Sequence, residues 1–347
     1  MAEATYTVRT AGGEKEFRVG DGHVLPHEHL LIDSRVWWEG EGHWRDWDDP
    51  EVVARTTSEQ LASHPQAMTR ENMVLSDWYL AAQELRLAAT VGVALLVDLT
   101  VQGCGPCVDL AVRAANLAGV DIIVTVGRYL GPTLPSSVKH LRAEELSNQW
   151  QHQVHEGIAG HLPGMIGEIG TSAVITEVEQ TSLRAAAITQ SATGLAINVH
   201  VHPFARQAPA ALDILERAGA DPTRVAFSHL DCELDLPQLR HLLKRGCYVE
   251  MDNFGTSRSR KVTGIGYPDD NERLDVIAQL LDDGFETQIL LSHDINHRNS
   301  LHANGGWGYQ HIGATIIPQL RTRFGEVATD ILVSANPLRL LDVSGRR

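Results

Sequence analysis

Side chains of the types that bind metal ions recur at or near the ends of several short apolar runs in this chain. The set consists of His27, His29, Glu168, His200, His229 and Asp294. Imidazole and carboxylate groups are the usual nitrogen and oxygen ligands of divalent transition metals. One histidine in such a position is more often a hydrogen-bonded structural residue, but six potential ligands from five runs favour a shared metal site.

The two carboxylates of this set support the metal-binding interpretation. Glu168 lies inside the apolar segment 166–170, and Asp294 comes just after an apolar run. A carboxylate in an apolar interior needs a compensating cation or proton, and a pair of divalent ions would supply the cations. One alternative stays open at this point. His202 competes with His200, because residues two apart in a strand face the same side.

Eight apolar runs rich in β-branched residues are expected to form the strands that position these groups. The runs are Val24–Ile32, Ala94–Leu99, Ile122–Val126, Met165–Ile169, Leu195–Val199, Arg224–Leu230, Tyr248–Met251 and Gln288–Ser292. Between them lie the amphipathic segments Met73–Ala89, Pro106–Ala118, Ala143–Glu156, Glu177–Thr193, Ala208–Ala218, Leu236–Arg245 and Asn271–Asp283. Alternating strands and helices predict an α/β fold, a (β/α)8 TIM barrel with its active site at the carboxyl ends of the strands.

We expect a single domain over residues 1–347, although length alone would suggest two. Residues 4–20 alternate in character around a glycine pair and predict a short N-terminal β-hairpin. Residues 36–70 are rich in Trp, Asp, Glu and Gly and predict a long loop after strand one. The tryptophans near this loop could cover the pocket or pack at a dimer contact, and they are Trp37, Trp38, Trp44 and Trp47.

Composition excludes several classes of protein. The chain has 29 Lys and Arg against 44 Asp and Glu, a formal net charge of −15, which argues against nucleic-acid binding. A hydrophobic content of 43% excludes a disordered chain. No apolar run reaches the roughly 18 residues of a transmembrane helix, and the N-terminus lacks a signal-peptide pattern. We therefore expect a cytoplasmic protein without a membrane partner, whose partner is a small-molecule substrate.

The pair Cys104 and Cys107 has the spacing of a thioredoxin-type redox motif. A helix N-terminus lowers the pKa of a thiol, so a reactive pair at the start of the predicted helix is physically possible. A redox protein would not need the metal-ligand set, however, and thioredoxin-like surroundings are missing from the sequence. We therefore favour a pocket-lining role over a thiol oxidoreductase.

The chain resembles the phosphotriesterase family of the amidohydrolase superfamily, and within it the phosphotriesterase-related branch. The resemblance covers nearly the whole sequence. It rests on the motifs at Gly22–His29, Ile166–Gly170, Ser228–Asp231, Tyr267–Asn271, Leu291–Asp294, Gly305–Tyr309 and Asn336–Leu338. It implies a binuclear metal-dependent hydrolase and, by analogy with the family, a homodimer.

The resemblance also implies how the metal ligands divide. His27, His29 and Asp294 would bind the more buried ion, and His200 and His229 the more exposed one. His200 is preferred to its competitor because its spacing to His229 suits the family. Zn is the metal expected first, with Mn, Co, Fe or Ni as alternatives.

Glu168 would bridge the two ions, in the place where many relatives carry a carboxylated lysine. In the implied reaction, a metal-bridging hydroxide attacks a carbonyl or phosphoryl centre of a small ester, lactone or amide. Asp294 would accept the proton of the hydroxide and pass it to the leaving group.

Substrate choice is expected to lie in the loops after the strands. The candidate substrate-binding residues are Arg128, Tyr129, Asn253, His297, Arg298 and Trp307. Arg258, Arg260 and Lys261 could, with Arg298, pair with an anionic group or form a solvated basic loop.

Two functional alternatives remain. Cys232 and Asn253 stand where organophosphate-degrading relatives carry a polar relay, which makes phosphotriester hydrolysis the second choice after a lactonase-, esterase- or amidase-type reaction. A barrel that binds a small molecule without turnover, with metals serving structure, is the alternative from another class.

Overall fold

Alternating polar and apolar residues near the N-terminus form the predicted hairpin. In the computed structural model, which describes residues 4–37, 71–256 and 267–344, β1 (Thr5–Thr10) pairs antiparallel with β2 (Gly13–Arg18). Val8 and Phe17 are buried and pack in one cluster with apolar residues of the strands that follow. The hairpin is therefore attached to the main body by its apolar face.

The next strand, β3 (His23–Glu28), begins an eight-stranded parallel sheet. A small antiparallel pair follows it, β4 (Ile32–Asp33) with β5 (Val74–Leu75). The other strands of the large sheet are β6 (Val93–Asp98), β7 (Asp121–Val126), β8 (Pro163–Thr171), β9 (Ile197–Val201), β10 (Val225–Phe227), β11 (Tyr248–Met251) and β12 (Ile289–Leu291).

Each strand of the large sheet pairs in parallel with the next one along the chain. The first and last strands approach each other, since the backbone N–H of His27 donates to Ser292 Oγ at 3.2 Å. The strands are buried on both faces, as expected for a parallel sheet covered by helices. The predicted (β/α)8 TIM barrel is confirmed.

Helices fill the connections between the strands and also follow the last strand. They are α1 (Trp78–Thr90), α2 (Val108–Ala118), α3 (Ala143–Glu156), α4 (Glu177–Thr193), α5 (Ala208–Arg217), α6 (Leu236–Lys244), α7 (Asp270–Asp282), α8 (Ile317–Asp330) and α9 (Asn336–Leu341). Six of the seven predicted helices agree with the observed ones to within two residues at each end. No helix in the described part of the chain is long and apolar enough to cross a membrane.

The first helix differs from its prediction at the N-terminal end. The pattern predicts a helix over Met73–Ala89, but the helix begins at Trp78. The side chain of Asp77 accepts hydrogen bonds from the backbone N–H groups of Tyr79 and Leu80, both at 3.0 Å. This N-cap fixes the start of the helix and leaves the preceding residues free to pair with β4.

Two predicted strands end three or more residues earlier than expected. The predicted run Val24–Ile32 ends as β3 at Glu28, and Ile32 belongs to β4. The predicted run Arg224–Leu230 shortens to β10, because the backbone of His229 has a φ of 60° and its N–H donates to the Asp252 carboxylate. The chain therefore leaves the sheet where the polar side chains begin.

Most of the predicted insertion loop 36–70 lies outside the described residues. The interpretation of residues 1–347 as one domain stays a prediction.

Candidate metal centre

The carboxyl ends of β3 and β12 bring three potential ligand atoms together. Asp294 Oδ1 lies 3.7 Å from His27 Nε2 and 3.3 Å from His29 Nε2. Ligand atoms each about 2.0–2.2 Å from one metal ion lie roughly 3–3.5 Å apart, so these separations suit a shared cation. His27 Nε2 and Asp294 Oδ1 are buried and have no hydrogen-bond partner in the described chain. These two orphaned atoms fit a cation site.

Glu168, on β8, lies between this group and a second pair of imidazoles. Its Oε1 is 2.9 Å from His200 Nδ1, 3.1 Å from His229 Nε2 and 3.6 Å from His27 Nε2. The two nitrogen atoms of His200 and His229 are themselves 2.8 Å apart. A carboxylate in this position could contact two cations at once.

His202 lies farther from this centre than its competitor. It is partly exposed, and its Nδ1 accepts a hydrogen bond from the Phe204 backbone N–H at 3.3 Å. Its ring packs 5.7 Å from the Trp37 ring. The structure therefore brings His200 to Glu168 and places His202 in the wall of the cavity above.

Three groups behind the histidines fix the orientation of their rings. His27 Nδ1 lies 2.9 Å from Glu250 Oε2, and His229 Nδ1 lies 3.1 Å from Asp252 Oδ2. Because a carboxylate accepts, each Nδ1 carries a hydrogen, and in the neutral imidazole each Nε2 presents a lone pair to the centre. His29 Nδ1 contacts the hydroxyl of Thr100 at 2.9 Å.

Glu250 and Asp252 contact the histidines of the centre and are not among the residues predicted from the sequence. They lie at and just after the end of β11, two residues apart, in an otherwise apolar run. The signal was the same as for Glu168, a carboxylate inside a buried strand. Asp252 is within reach of two imidazoles, since its Oδ2 is also 3.2 Å from His27 Nδ1.

The charges of the centre are set by competition between burial and neighbours. Burial opposes a charge on His27, but hydrogen bonds to Asp252 and Glu250 outweigh it and raise the pKa of His27 well above its ordinary value. Burial also opposes a charge on Glu168, but the adjacent His200 lowers the pKa of Glu168 well below its usual range. The neighbours of these two buried groups therefore stabilise their charged forms.

The loop that carries Asp294 is fastened to β3 by Glu28. This buried carboxylate accepts from Ser292 Oγ at 2.8 Å and from the backbone N–H of Ile295 at 3.1 Å. It also lies 2.6 Å from His293 Nδ1. His293 therefore points away from the centre, as a buried structural residue.

Two residues of the centre have left-handed backbones, which non-glycine residues rarely adopt. The φ of His229 is 60° and that of Asp294 is 50°. Such conformations cost free energy and persist where the surroundings enforce them. Here the backbone N–H of His229 donates to both Asp252 oxygens at 3.0 Å, and the N–H of Asp294 donates to His27 O at 3.4 Å.

A cavity of about 200 Å³ opens above the centre. Aromatic rings form much of its wall, and these come from Trp37, Tyr129, Phe204 and Tyr267. Three of the predicted substrate-binding residues line it, namely Tyr129, Asn253 and His297. The hydroxyl of Tyr129 accepts a hydrogen bond from Trp37 Nε1 at 2.6 Å and lies 3.5 Å from His200 Nδ1.

The other three predicted substrate-binding residues are not brought into this cavity. The guanidinium of Arg128 donates to Gln102 Oε1 at 3.1 Å and to Val138 O at 3.0 Å, so it is used in holding a loop. Trp307 packs against Gly255, where an added Cβ would come within 2.5 Å of the indole ring. Arg298 lies in a short turn and does not line the cavity.

Several residues considered as substrate contacts lie outside the described part of the chain. They are Trp38, Trp44, Trp47, Arg258, Arg260 and Lys261.

The two cysteines of the Cys-X-X-Cys motif differ in environment. Cys104 is buried and Cys107 is exposed, and both are free. Burial raises the pKa of the Cys104 thiol well above its ordinary value, which disfavours the thiolate that redox chemistry needs. The thiol instead donates to Val101 O at 3.1 Å. Neither cysteine lines the cavity above the centre.

The barrel and its centre together define a class of protein. Histidines and carboxylates that converge at the carboxyl ends of a parallel barrel are the donor set of metal-dependent hydrolases. The model of the phosphotriesterase family matches residues 8–341. The chain belongs to the phosphotriesterase family, as its motifs predict.

The chain is similar to a named hydrolase and to a named ligand-binding protein. It is 33% identical over 327 residues to N-acetyltaurine hydrolase of Homo sapiens, an alignment that covers 92% of this chain and 93% of that protein. A crystal structure of a resiniferatoxin-binding protein from Rhodobacter sphaeroides is similar, with a TM-score of 0.87, 30% identity and coverage of 97% and 95%.

The phosphotriesterase homology protein of Escherichia coli, solved with phosphate in its active site, is also similar. Its TM-score is 0.77 at 26% identity, over 93% of this chain and 99% of that chain.

Proposed function

We propose that the protein is a binuclear metal-dependent hydrolase of small carbonyl compounds. One cation would be held by His27, His29 and Asp294, and the other by His200 and His229. Glu168 would contact both, without the carboxylated lysine that many relatives use. Zinc is the first candidate for both positions, because a set of imidazole and carboxylate donors suits it.

One observation carries this proposal. His27 Nε2 and Asp294 Oδ1 are buried at the base of the cavity, face each other at 3.7 Å and have no hydrogen-bond partner among the described residues. Burying polar atoms in this way is costly unless a ligand satisfies them. A cation between these atoms would satisfy both of them.

The metal pair, when bound, would lower the pKa of a water molecule and polarise the oxygen of the substrate. The residues of the chain supply the remaining functions. Asp294 would accept the proton of the attacking water and return it to the leaving group. Its Oδ2 is held by the Asn296 amide at 2.9 Å, which fixes the carboxylate plane. The rings of Trp37 and Phe204 would limit the access of bulk water.

The relatives support a carbonyl substrate. N-acetyltaurine hydrolase of Homo sapiens is 33% identical to this chain and covers 92% of it. This similarity supports hydrolysis of an amide, with esters and lactones as chemically related substrates. Phosphotriester hydrolysis on the same site is the second candidate. A homodimer, a cytoplasmic location and a small-molecule substrate as sole partner are further parts of the proposal.

Small-molecule binding without turnover is the competing function. It draws support from the similar structure of a resiniferatoxin-binding protein. A ligand that is bound but never cleaved would raise the thermal midpoint of the metal-loaded protein without releasing product. The two functions are therefore separable in one set of measurements.

The proposed test combines a substrate panel with replacement of the proton acceptor. Metal-loaded protein is assayed against aryl esters, lactones, N-acyl amides and organophosphates, and Asp294→Asn is assayed on the best substrate. Loss of the proton acceptor should lower kcat by at least about 100-fold. Asp109→Asn is the matched control, because the Asp109 side chain is 77% exposed and away from the centre.

Two results would contradict the proposal. Full activity in metal-loaded Asp294→Asn would exclude the role given to that carboxylate. Turnover of no panel member by protein that retains its metal would favour the binding function instead.

A further inference from the structure

Asn253 is a nearly buried polar residue in the wall of the cavity. It directly follows Asp252, the carboxylate that contacts both His27 and His229, and it is only 8% exposed. It lines the cavity above the proposed metal centre. Whatever polar atom Asn253 presents there is therefore available to a bound substrate.

Both hydrogens of the Asn253 side-chain amide are already in use. Nδ2 donates to Asp231 Oδ1 at 3.0 Å and to Asp252 Oδ1 at 2.9 Å. An amide nitrogen has two hydrogens and no lone pair to accept with. The nitrogen thus has nothing left to offer a substrate, and the carbonyl oxygen Oδ1 is the remaining polar atom.

The surrounding donors show that the two carboxylates act as acceptors. Asp231 Oδ2 accepts from Arg273 Nε at 2.6 Å and from the Asn253 backbone N–H at 3.0 Å. Asp252 accepts from the His229 backbone N–H through both of its oxygens. A flipped amide would place its oxygen against these acceptors and lose both hydrogen bonds. The hydrogen-bond network therefore fixes the positions of the amide nitrogen and oxygen of Asn253.

A buried arginine makes this arrangement rigid. The Arg273 side chain is fully buried, and its Nη1 donates to Thr256 O at 2.8 Å. The backbone N–H of Gly255 donates to Asp270 Oδ1 at 2.9 Å. The segment that carries Asn253 is thus held at both its side chain and its backbone, so Oδ1 is a preorganised acceptor in the cavity.

We propose that Asn253 is a specificity-determining residue whose Oδ1 accepts a hydrogen bond from an N–H group of the substrate. The inference rests on the proposed hydrolase function and narrows its substrate class to secondary amides. Esters, lactones and tertiary amides lack this N–H. When bound they would cover the Asn253 oxygen without giving it a hydrogen bond, which a site of this kind penalises.

The bond changes of the reaction are simple. Hydrolysis breaks the C–N bond of the secondary amide and consumes one water molecule. The carbonyl carbon gains the hydroxyl group, the nitrogen gains the proton, and the products are a carboxylic acid and a primary amine. The N–H that Asn253 recognises stays on the nitrogen throughout.

The test compares three substrates that share an acetyl group. They are 4-nitroacetanilide, its N-methyl derivative and 4-nitrophenyl acetate, each with a coloured leaving group. The metal-loaded wild type should show a kcat/KM ratio of secondary to N-methyl amide about tenfold higher than that of Asn253→Ala. Dividing the ratios of the two proteins cancels the intrinsic reactivity of the compounds, and the ester reports general damage to the site.

Controls keep the result interpretable. Thr256→Val alters the same wall of the cavity without touching the Asn253 amide, so it should retain the wild-type ratio. Metal content and thermal midpoint are measured for each variant. If Asn253→Ala does not fold, the wild-type ratio is compared with that of alkaline hydrolysis, and an excess of about tenfold is expected.

The outcomes separate this inference from the proposed function. An unchanged ratio in Asn253→Ala, or a wild type that cleaves the ester or another panel member but no secondary amide, overturns the inference and leaves the hydrolase intact. A protein that cleaves none of the three, nor any member of the wider panel, overturns both.

Discussion

At the scale of single residues, Asp252 is central to the candidate metal centre, because it contacts two of the proposed metal ligands. Its carboxylate lies 3.2 Å from His27 Nδ1 and 3.1 Å from His229 Nδ1, so one side chain orients a proposed ligand of each cation. Glu250, by contrast, contacts only His27 of the two imidazoles. This difference can be tested by replacing each acid with its amide.

We predict that Asp252→Asn weakens binding of both metal ions. Groups of this kind behind a ligand typically change metal affinity or activity about 10–100-fold, because they fix the tautomer and raise ligand basicity. Titration with a chromophoric chelator should show both affinities reduced, whereas Glu250→Gln, the matched control, should weaken one site only. Two unchanged affinities in Asp252→Asn would exclude the positioning role.

The sequence predicted most of these residues, and the exceptions have physical reasons. His27, Glu168 and His229 stand out because a polar side chain in or beside a buried apolar strand costs free energy unless a partner satisfies it. Asp252 carried a similar signal but was not singled out. The placement of Arg128 outside the cavity was not predictable, because the direction of its side chain depends on the carbonyl of Val138 in a neighbouring loop.

At the scale of elements, strand and helix periods predict the barrel well because they are local. Glycines at helix ends and repeated apolar runs need no information about the rest of the chain. Contacts between elements that are far apart in the sequence are harder to predict. The packing of the N-terminal hairpin is an example, since Gly164, at the start of β8, lies against the backbone of Arg9.

The hairpin contact leads to a stability prediction. A Cβ added at Gly164 would clash with the backbone oxygen of Arg9, so Gly164→Ala must displace one element from the other. We expect the free energy of unfolding to fall by about 1–3 kcal/mol, as for other overpacked sites. Denaturant unfolding followed by circular dichroism measures this change.

A second glycine, in the hairpin itself, serves as the matched control. An added Cβ at Gly12 meets nothing closer than 3.8 Å, so Gly12→Ala should leave stability unchanged or slightly raised. Equal effects of the two substitutions would contradict the close packing of the hairpin on β8.

At the scale of the whole molecule, the proposed function requires an acidic chain to bind two metal cations. The formal net charge of −15 does not include bound metal ions. Ions that bind the folded state and not the unfolded state raise the thermal midpoint by mass action. We therefore expect the metal content of the protein to be linked both to its stability and to its activity.

Metal stoichiometry tests the proposed binuclear centre most directly. Wild-type protein is purified in the presence of the metal, freed of loosely bound ions, and analysed by elemental mass spectrometry beside an activity assay and a thermal melt. We predict two equivalents per chain, with chelation lowering the thermal midpoint and abolishing turnover, and re-addition restoring both. Less than one equivalent per chain with activity retained would contradict the binuclear centre.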